Sequence, residues 1–206
     1  MSTLMDARTP AFMGSRSHRA LQNALVGEEQ TRQTYLQAAQ TMEDARLYVI
    51  AHALRFTAAQ VKEHADIFRG LLRFFGGIPL SPAESVALLP REPIEILQAL
   101  AQDEGSEAER LYLCNAHISM EEGYPRIAAA FTRIAETKAL HAKRFSQFEN
   151  ALTCGTLFRD AAPVSWFCLA CGELRTGCEP PAVCPSCSKD RGHFIRSTFF
   201  PFAVEH

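Results

Sequence analysis

Along four stretches of this chain apolar residues recur every three or four positions, the period of an amphipathic helix. The first stripe runs Leu21, Leu25, Glu28, Tyr35, Ala39 and Met42. The second runs Leu47, Ile50, Leu54, Val61, His64, Phe68, Leu71 and Phe75. The third runs Leu97, Ala101, Glu104, Glu107, Leu111, Cys114 and Ile118, and the fourth Ile127, Phe131, Ile134, Lys138, His141, Phe145, Phe148 and Leu152. Four such helices predict a mainly α chain with a four-helix bundle over residues 18–152. The first two helices are joined by a few residues near Asp44 and must pack antiparallel. Gly123 and Pro125 break the pattern between the third and fourth, Gly suiting a helix end and Pro the first turn of the next. The connection GGIPLSPAESVALLPREP between the second and third is long enough to run the length of the bundle at about 3.3 Å per residue. Within it Ser81-Pro82-Ala83-Glu84 has the form of a capping box, so a short helix is expected there.

Each stripe is interrupted near its middle by polar residues: Glu28, His64, Glu104 with Glu107, and Lys138 with His141. An ionised group inside a bundle costs several kcal/mol unless it is paired or bound to a metal. The i, i+3 spacing of Glu104 and Glu107 puts both on one face. Carboxylates and imidazoles converging at one level of a bundle are a way to hold iron or manganese. A buried, hydrogen-bonded polar group is the plainer reading of any one of them alone.

Beyond residue 152 the periodicity stops. Residues 153–165 read as a linker, residues 166–206 as a small terminal domain, and residues 1–17 as a floppy arm. Lys plus Arg number 21 and Asp plus Glu 23, so the formal net charge is −2. That balance gives no electrostatic case for nucleic acid or an anionic membrane. No apolar run is long enough for a membrane span. The first residues lack the apolar core of a secretory signal, and a cytoplasmic location is expected. Of seven cysteines, Cys168, Cys171, Cys184 and Cys187 form two Cys-x-x-Cys pairs twelve residues apart. This spacing predicts two knuckles closing a tetrahedral sulfur site, with Gly172 at the turn after the first pair. Tetrahedral sulfur suits iron or zinc, iron making an electron carrier and zinc a structural staple. Cys114 lies on the third stripe and is read as core packing. Cys178 sits between the knuckles and reads as a solvent thiol, a spare ligand or a redox partner.

Several segments together resemble the rubrerythrin family, a ferritin-like di-iron bundle followed by a rubredoxin-like iron domain. They are GEEQTR at 27–32, KEHAD at 62–66, EGSE at 104–107, EEGY at 121–124, HAKRF at 141–145, WFCLACG at 166–172 and CPSC at 184–187, with His193-Phe194 beyond. The resemblance implies a ferritin-like bundle with a small β-rich rubredoxin-like domain. It implies iron on the four cysteines and metal ligands at Glu28, His64, Glu104, Glu107 and His141. It further implies a homodimer in which one chain's rubredoxin unit lies near its partner's bundle, and an electron-donor reductase as partner.

One departure bears on the chemistry. In the family, the second and fourth helices each carry Glu-x-x-His, whose glutamates bridge two irons. Here those tetrads are Val61-Lys62-Glu63-His64 and Lys138-Ala139-Leu140-His141. Glu63 and Glu136 lie two residues from the bridging positions, about 200° around the helix, and face away from the core. Two shared negative charges are lost and one positive charge is added, so at most one iron, manganese or zinc is expected in the bundle. Either Lys138 takes the place of one metal beside a single ion on Glu28, His64 and Glu107, with His141 as a possible further ligand. Or no metal binds, and Lys138, alone or with a protonated histidine, neutralises the three glutamates in a buried network. Three functions follow: a rubrerythrin-like redox protein carrying electrons and reducing peroxide or oxygen, a non-redox dimeric bundle with structural zinc, or an enzyme using Lys138 as a base or nucleophile beside one metal.

Overall fold

The computed structural model describes residues 9–80 and 88–197. Helix α1 (Thr9–Met13) leads into α2 (Arg16–Asp44), and α2 turns back at once into α3 (Tyr48–Phe74). After the long connection, α4 (Pro93–Ser106) runs through a π-helical turn (Glu107–Tyr112) into α5 (Leu113–Glu121). Helix α6 (Pro125–Thr153) returns alongside. The bundle is therefore two antiparallel hairpins laid together, α2 with α3 and α4–α5 with α6. Pro93 and Pro125 each stand in the first helical turn, where the missing N–H is unneeded. Ser15 caps α2, and the carboxylate of Glu122 accepts hydrogen bonds from the Arg16 and Ser17 N–H groups at that same helix start. An anion there offsets the free N–H groups of the first turn.

Part of the expected arm is thus helical: Phe12 is fully buried and packs on His18, Phe75 and Tyr124. The apolar ring has a pocket to fill, which a reading of the arm's polar composition missed. The expected capping box at 81–84 lies outside the described residues.

The third stripe changes register at the π turn. Glu104 is buried as its stripe predicts, but from the turn onward Leu111 and Cys114 are exposed, and Ala108, Tyr112, Asn115 and Ser119 face inward instead. A π turn inserts one extra residue, so the α-helical phase slips by about 100° beyond it. Cys114 is therefore a surface thiol and not core packing.

Among the described residues the core of the bundle consists of two apolar clusters. One gathers Met42, Ile50, Leu54, Val61, Leu97 and Phe145; the other gathers Leu25, Phe68, Leu72, Ile127 and Phe131. Between them, at mid-height, lie Glu28, His64, Glu104, Lys138 and His141, all buried. The polar layer is sealed above and below by hydrocarbon.

The terminal unit is a three-stranded antiparallel sheet in the order β2–β1–β3, made of β1 (Val164–Cys168), β2 (Leu174–Gly177) and β3 (Phe194–Arg196). It is seated on the α2–α3 end of its own bundle. His193 stacks on Tyr48 with ring centroids 3.8 Å apart. Ile195 and Leu157 join the apolar cluster of Met42, Ile50 and Leu54. Gly192 is required at this contact, since a Cβ there would collide with the Arg46 carbonyl. The segment read as a linker is likewise packed: Leu157 is buried, and the Asp160 N–H donates to the Cys178 carbonyl.

Candidate metal centre and buried ion network

At the terminal unit the two knuckles face each other. Cys168 Sγ lies 3.8 Å from Cys187 Sγ, Cys171 Sγ lies 3.7 Å from Cys184 Sγ, and all four sulfurs fall within 4.8 Å of one another. A metal held tetrahedrally at about 2.3 Å from each sulfur separates the sulfurs by about 3.8 Å, so the cradle has the size such an ion needs. Backbone N–H groups of Ala170, Cys171 and Glu173 point at the sulfurs of the first knuckle, and those of Ser186 and Cys187 at Cys184. Against burial these donors hold Cys184 at about 7, while at the first knuckle burial and the neighbouring sulfurs outweigh them, pushing Cys168 up and Cys171 up to about 12. Gly172 sits at φ 83°, the left-handed turn that lets the first loop fold over its sulfurs. Trp166 and Phe194 pack with Cys168 and Cys184 on the inner side, while Cys171 is exposed. All seven cysteines are free thiols. Among the described residues this is the group of His, Cys, Asp and Glu whose donor atoms converge as metal ligands do.

The bundle centre is built differently. Lys138 is fully buried, and its Nζ lies 3.3 Å from Glu28 Oε1, 3.0 Å from Glu104 Oε1 and 2.9 Å from Glu107 Oε2. His64 Nδ1 lies 3.1 Å from the other oxygen of Glu28, and His141 Nδ1 lies 3.1 Å from the other oxygen of Glu104. Tyr112 donates its hydroxyl to Glu28 Oε1, and Tyr35 donates to Glu104 Oε1. Both oxygens of each buried glutamate are thus engaged by side chains of the protein. Glu63 and Glu136 are exposed, as their helix positions predict.

The protonation states follow from these partners. Burial pushes Glu104 up, but the His141 hydrogen bond and the Lys138 charge outweigh it and hold this carboxyl at about 2. Burial also opposes ionisation of Glu28, and Lys138 and His64 again tip the balance, so its pKa is lowered. An ionised carboxylate only accepts, so each histidine carries its proton on Nδ1. Burial keeps His141 neutral, its pKa lowered despite Glu104. Its buried Nε2, which has no partner, is then a bare lone pair and not a stranded donor. For Lys138 burial favours the neutral amine, yet three carboxylates overcome it and raise the pKa further, so the ammonium persists. As an ammonium held by three carboxylates, Lys138 has the contacts of the charge compensation considered for it, and in that state it offers no lone pair to act as a base or nucleophile. Glu107, half-exposed at the edge of the layer, has its pKa raised, burial outweighing the Lys138 charge.

Tyr35 and Tyr112 were not legible as parts of this network. Tyr35 follows Glu28 by seven residues, while Tyr112 follows Glu104 by eight. The extra residue is the π insertion, which brings Tyr112 back into phase and makes the two hairpins near-equivalent halves. The one signal available was that a buried tyrosine hydroxyl needs a partner.

No protein-family model matches this chain. It is 32% identical over 184 residues to rubrerythrin of Porphyromonas gingivalis, the alignment covering 89% of this chain and 91% of the relative. It is 32% identical over 188 residues to rubrerythrin of Nitratidesulfovibrio vulgaris, covering 89% and 95%. The chain belongs to the rubrerythrin family. The solved structure of nigerythrin in a mixed-valent state superposes with a TM-score of 0.61 at 23% identity, covering 89% of this chain and 86% of that one. Bacterioferritin of Desulfovibrio desulfuricans superposes at 0.66 with 18% identity over 74% and 85%. These two likenesses speak for the fold, a ferritin-like bundle with a rubredoxin-like terminal unit. Membership makes this a non-haem iron protein by family, with a four-cysteine site able to take iron or zinc. No described helix is long and apolar enough to cross a membrane.

Proposed function

We propose that this family member is a one-electron carrier whose redox centre is a single iron on Cys168, Cys171, Cys184 and Cys187. The observation that carries this reading is the preformed sulfur tetrahedron, with cross-knuckle separations of 3.8 Å and 3.7 Å. Iron in four thiolates passes between ferric and ferrous states and so takes up and returns one electron. The chain's own residues supply the rest. The knuckle amides offset the charge of the thiolates, Trp166 and Phe194 exclude water on the inner side, and exposed Cys171 offers an edge to a partner.

An external reductase delivers the electron, and the protein works as a homodimer in a reducing compartment such as the cytoplasm, where thiols persist. Within one chain His193, at the docking contact, meets Tyr48 sixteen residues from His64, about 24 Å along α3. Electrons that reach any bundle centre would therefore come from the partner chain. The test is the protein as purified under reducing, anaerobic conditions and then oxidised. One iron per chain with a red, reversibly bleached thiolate absorption supports the proposal. A colourless protein with one zinc per chain overturns it.

A further inference from the structure

The bundle centre of a family known for its metals is here closed on itself. The carboxylate oxygens of Glu28 and Glu104 already accept from Tyr112, His64, Tyr35, His141 and Lys138. Both imidazoles turn an N–H, not a lone pair, toward those carboxylates. The point where the acidic groups of α2, α4 and the π turn converge is filled by an ammonium, 2.9–3.3 Å from all three. That nitrogen also lies 5.2 Å from the centre of the Tyr112 ring, in cation–π range. The equivalent position of the other hairpin, three residues before His64, holds the buried apolar Val61. These donors do not fit a metal ion.

We propose that Lys138 is the resident cation of this bundle, a covalent replacement for the metal pair that seals the polar layer and leaves the bundle metal-free in the working protein. One ammonium placed between the two hairpins serves both near-equivalent halves, which is why a single lysine suffices and its counterpart can be apolar. The layer then holds the hairpins together without any metal supply. Among the described residues the electron-storing centre left is then the cysteine site, whichever chain receives its electron. The inference stands on the bundle geometry alone and does not depend on which metal the cysteines hold.

The test uses the full chain with its cysteine site filled, titrated with Co(II) without oxygen and then gel-filtered. No cobalt retained beyond the cysteine site supports the proposal. One or more further ions with the spectrum of oxygen and nitrogen ligands overturns it, and leaves the reading of the cysteine iron untouched. Lys138→Met removes the cation at similar bulk. It should lower the melting temperature by about 10 °C, and added divalent metal should recover part of that. Melting within a degree or two of the parent overturns the proposal. If this variant does not fold, the titration of the unaltered protein decides.

Discussion

The cysteine knuckles and the bundle centre both gather anionic groups at one point, and they answer the resulting repulsion in opposite ways. At the knuckles the sulfurs stand about a tetrahedron's edge apart, turned toward a common centre. In the bundle the carboxylates close on an ammonium that belongs to the chain. The difference lies in how much fold surrounds each site. The terminal unit has three short strands and a four-residue apolar cluster, too little to stand without a bound ion. The bundle has two large apolar clusters and can carry the cost of a buried ion pair.

The largest expected effect tests that contrast directly. Cys168→Ser, or chelation under denaturant-free conditions, should unfold the terminal unit while the helices persist. A structural metal in a small unit supplies about 10 kcal/mol of folding free energy. Trp166 is the chain's single tryptophan and is fully buried beside Cys168, so its fluorescence reports this unit alone. Far-ultraviolet circular dichroism reports the bundle. Parallel loss of both signals would show that the two regions are one cooperative unit and break the comparison.

Next in size, Val61→Glu combined with Lys138→Glu should convert the second region into the first kind. Without metal, the added carboxylates repel in a buried layer and destabilise the bundle by about 3–5 kcal/mol. With divalent ions the loss should reverse, two ions binding per bundle. Isothermal titration beside thermal melting measures both arms. A double variant that stays stable without metal would mean that charge balance is not what organises the layer.

How far the sequence revealed these regions follows from the kind of signal each carries. The knuckles are encoded locally, in two Cys-x-x-Cys pairs, and their ligands are readable as a string. The inward position of Lys138 is also readable, because it keeps the 3.6-residue phase of Ile134, His141 and Phe145. The phase fails at Glu107–Tyr112, where no residue type marks a π turn. Leu111 and Cys114 are misplaced for that reason and Tyr112 goes unseen. The seating of the terminal unit is invisible as well, since Gly192 and Tyr48 meet only in three dimensions.

A pH series separates the regions by a smaller margin. The folded pKa of Glu104 is depressed to about 2 from an ordinary 4.5, so its contribution is present above pH 4.5 and is lost as pH falls from there toward 2. His141, also lowered, adds a loss that begins as pH falls below 6.5. Lys138, raised, contributes fully below 10.5, and that contribution is lost only as pH rises through its higher folded value. Glu107, raised, runs the other way: its contribution is present below 4.5 and is lost as pH rises through its folded value. Helix stability in urea should therefore be flat between about pH 7 and 10 and decline toward acid. In Lys138→Met the carboxylates lose their cation and their pKa values rise, so stability should instead improve as pH falls from neutrality toward 5. A decline of the same slope in both proteins would sink the lysine's part in the effect.

The smallest effect tests the near-symmetry of the two hairpins. Tyr35 and Tyr112 each donate one hydroxyl to one buried, ionised glutamate, and both are held protonated, burial raising their pKa values and the glutamate charge adding to it. A hydrogen bond to a charged acceptor contributes about 1.5–3 kcal/mol. Tyr35→Phe and Tyr112→Phe keep the ring packing, so each should cost about that much and the two costs should agree. The glutamate that loses its tyrosine can still lean on Lys138, and the ammonium can shift toward the poorer half. The double variant has no such recourse, because one nitrogen cannot compensate both sides at once. Its cost should exceed the sum of the singles, as expected of residues that share a partner. A strictly additive pair would mean that the two halves do not communicate through Lys138. Unequal singles would mean that the π turn holds Tyr112 in a different setting from its counterpart.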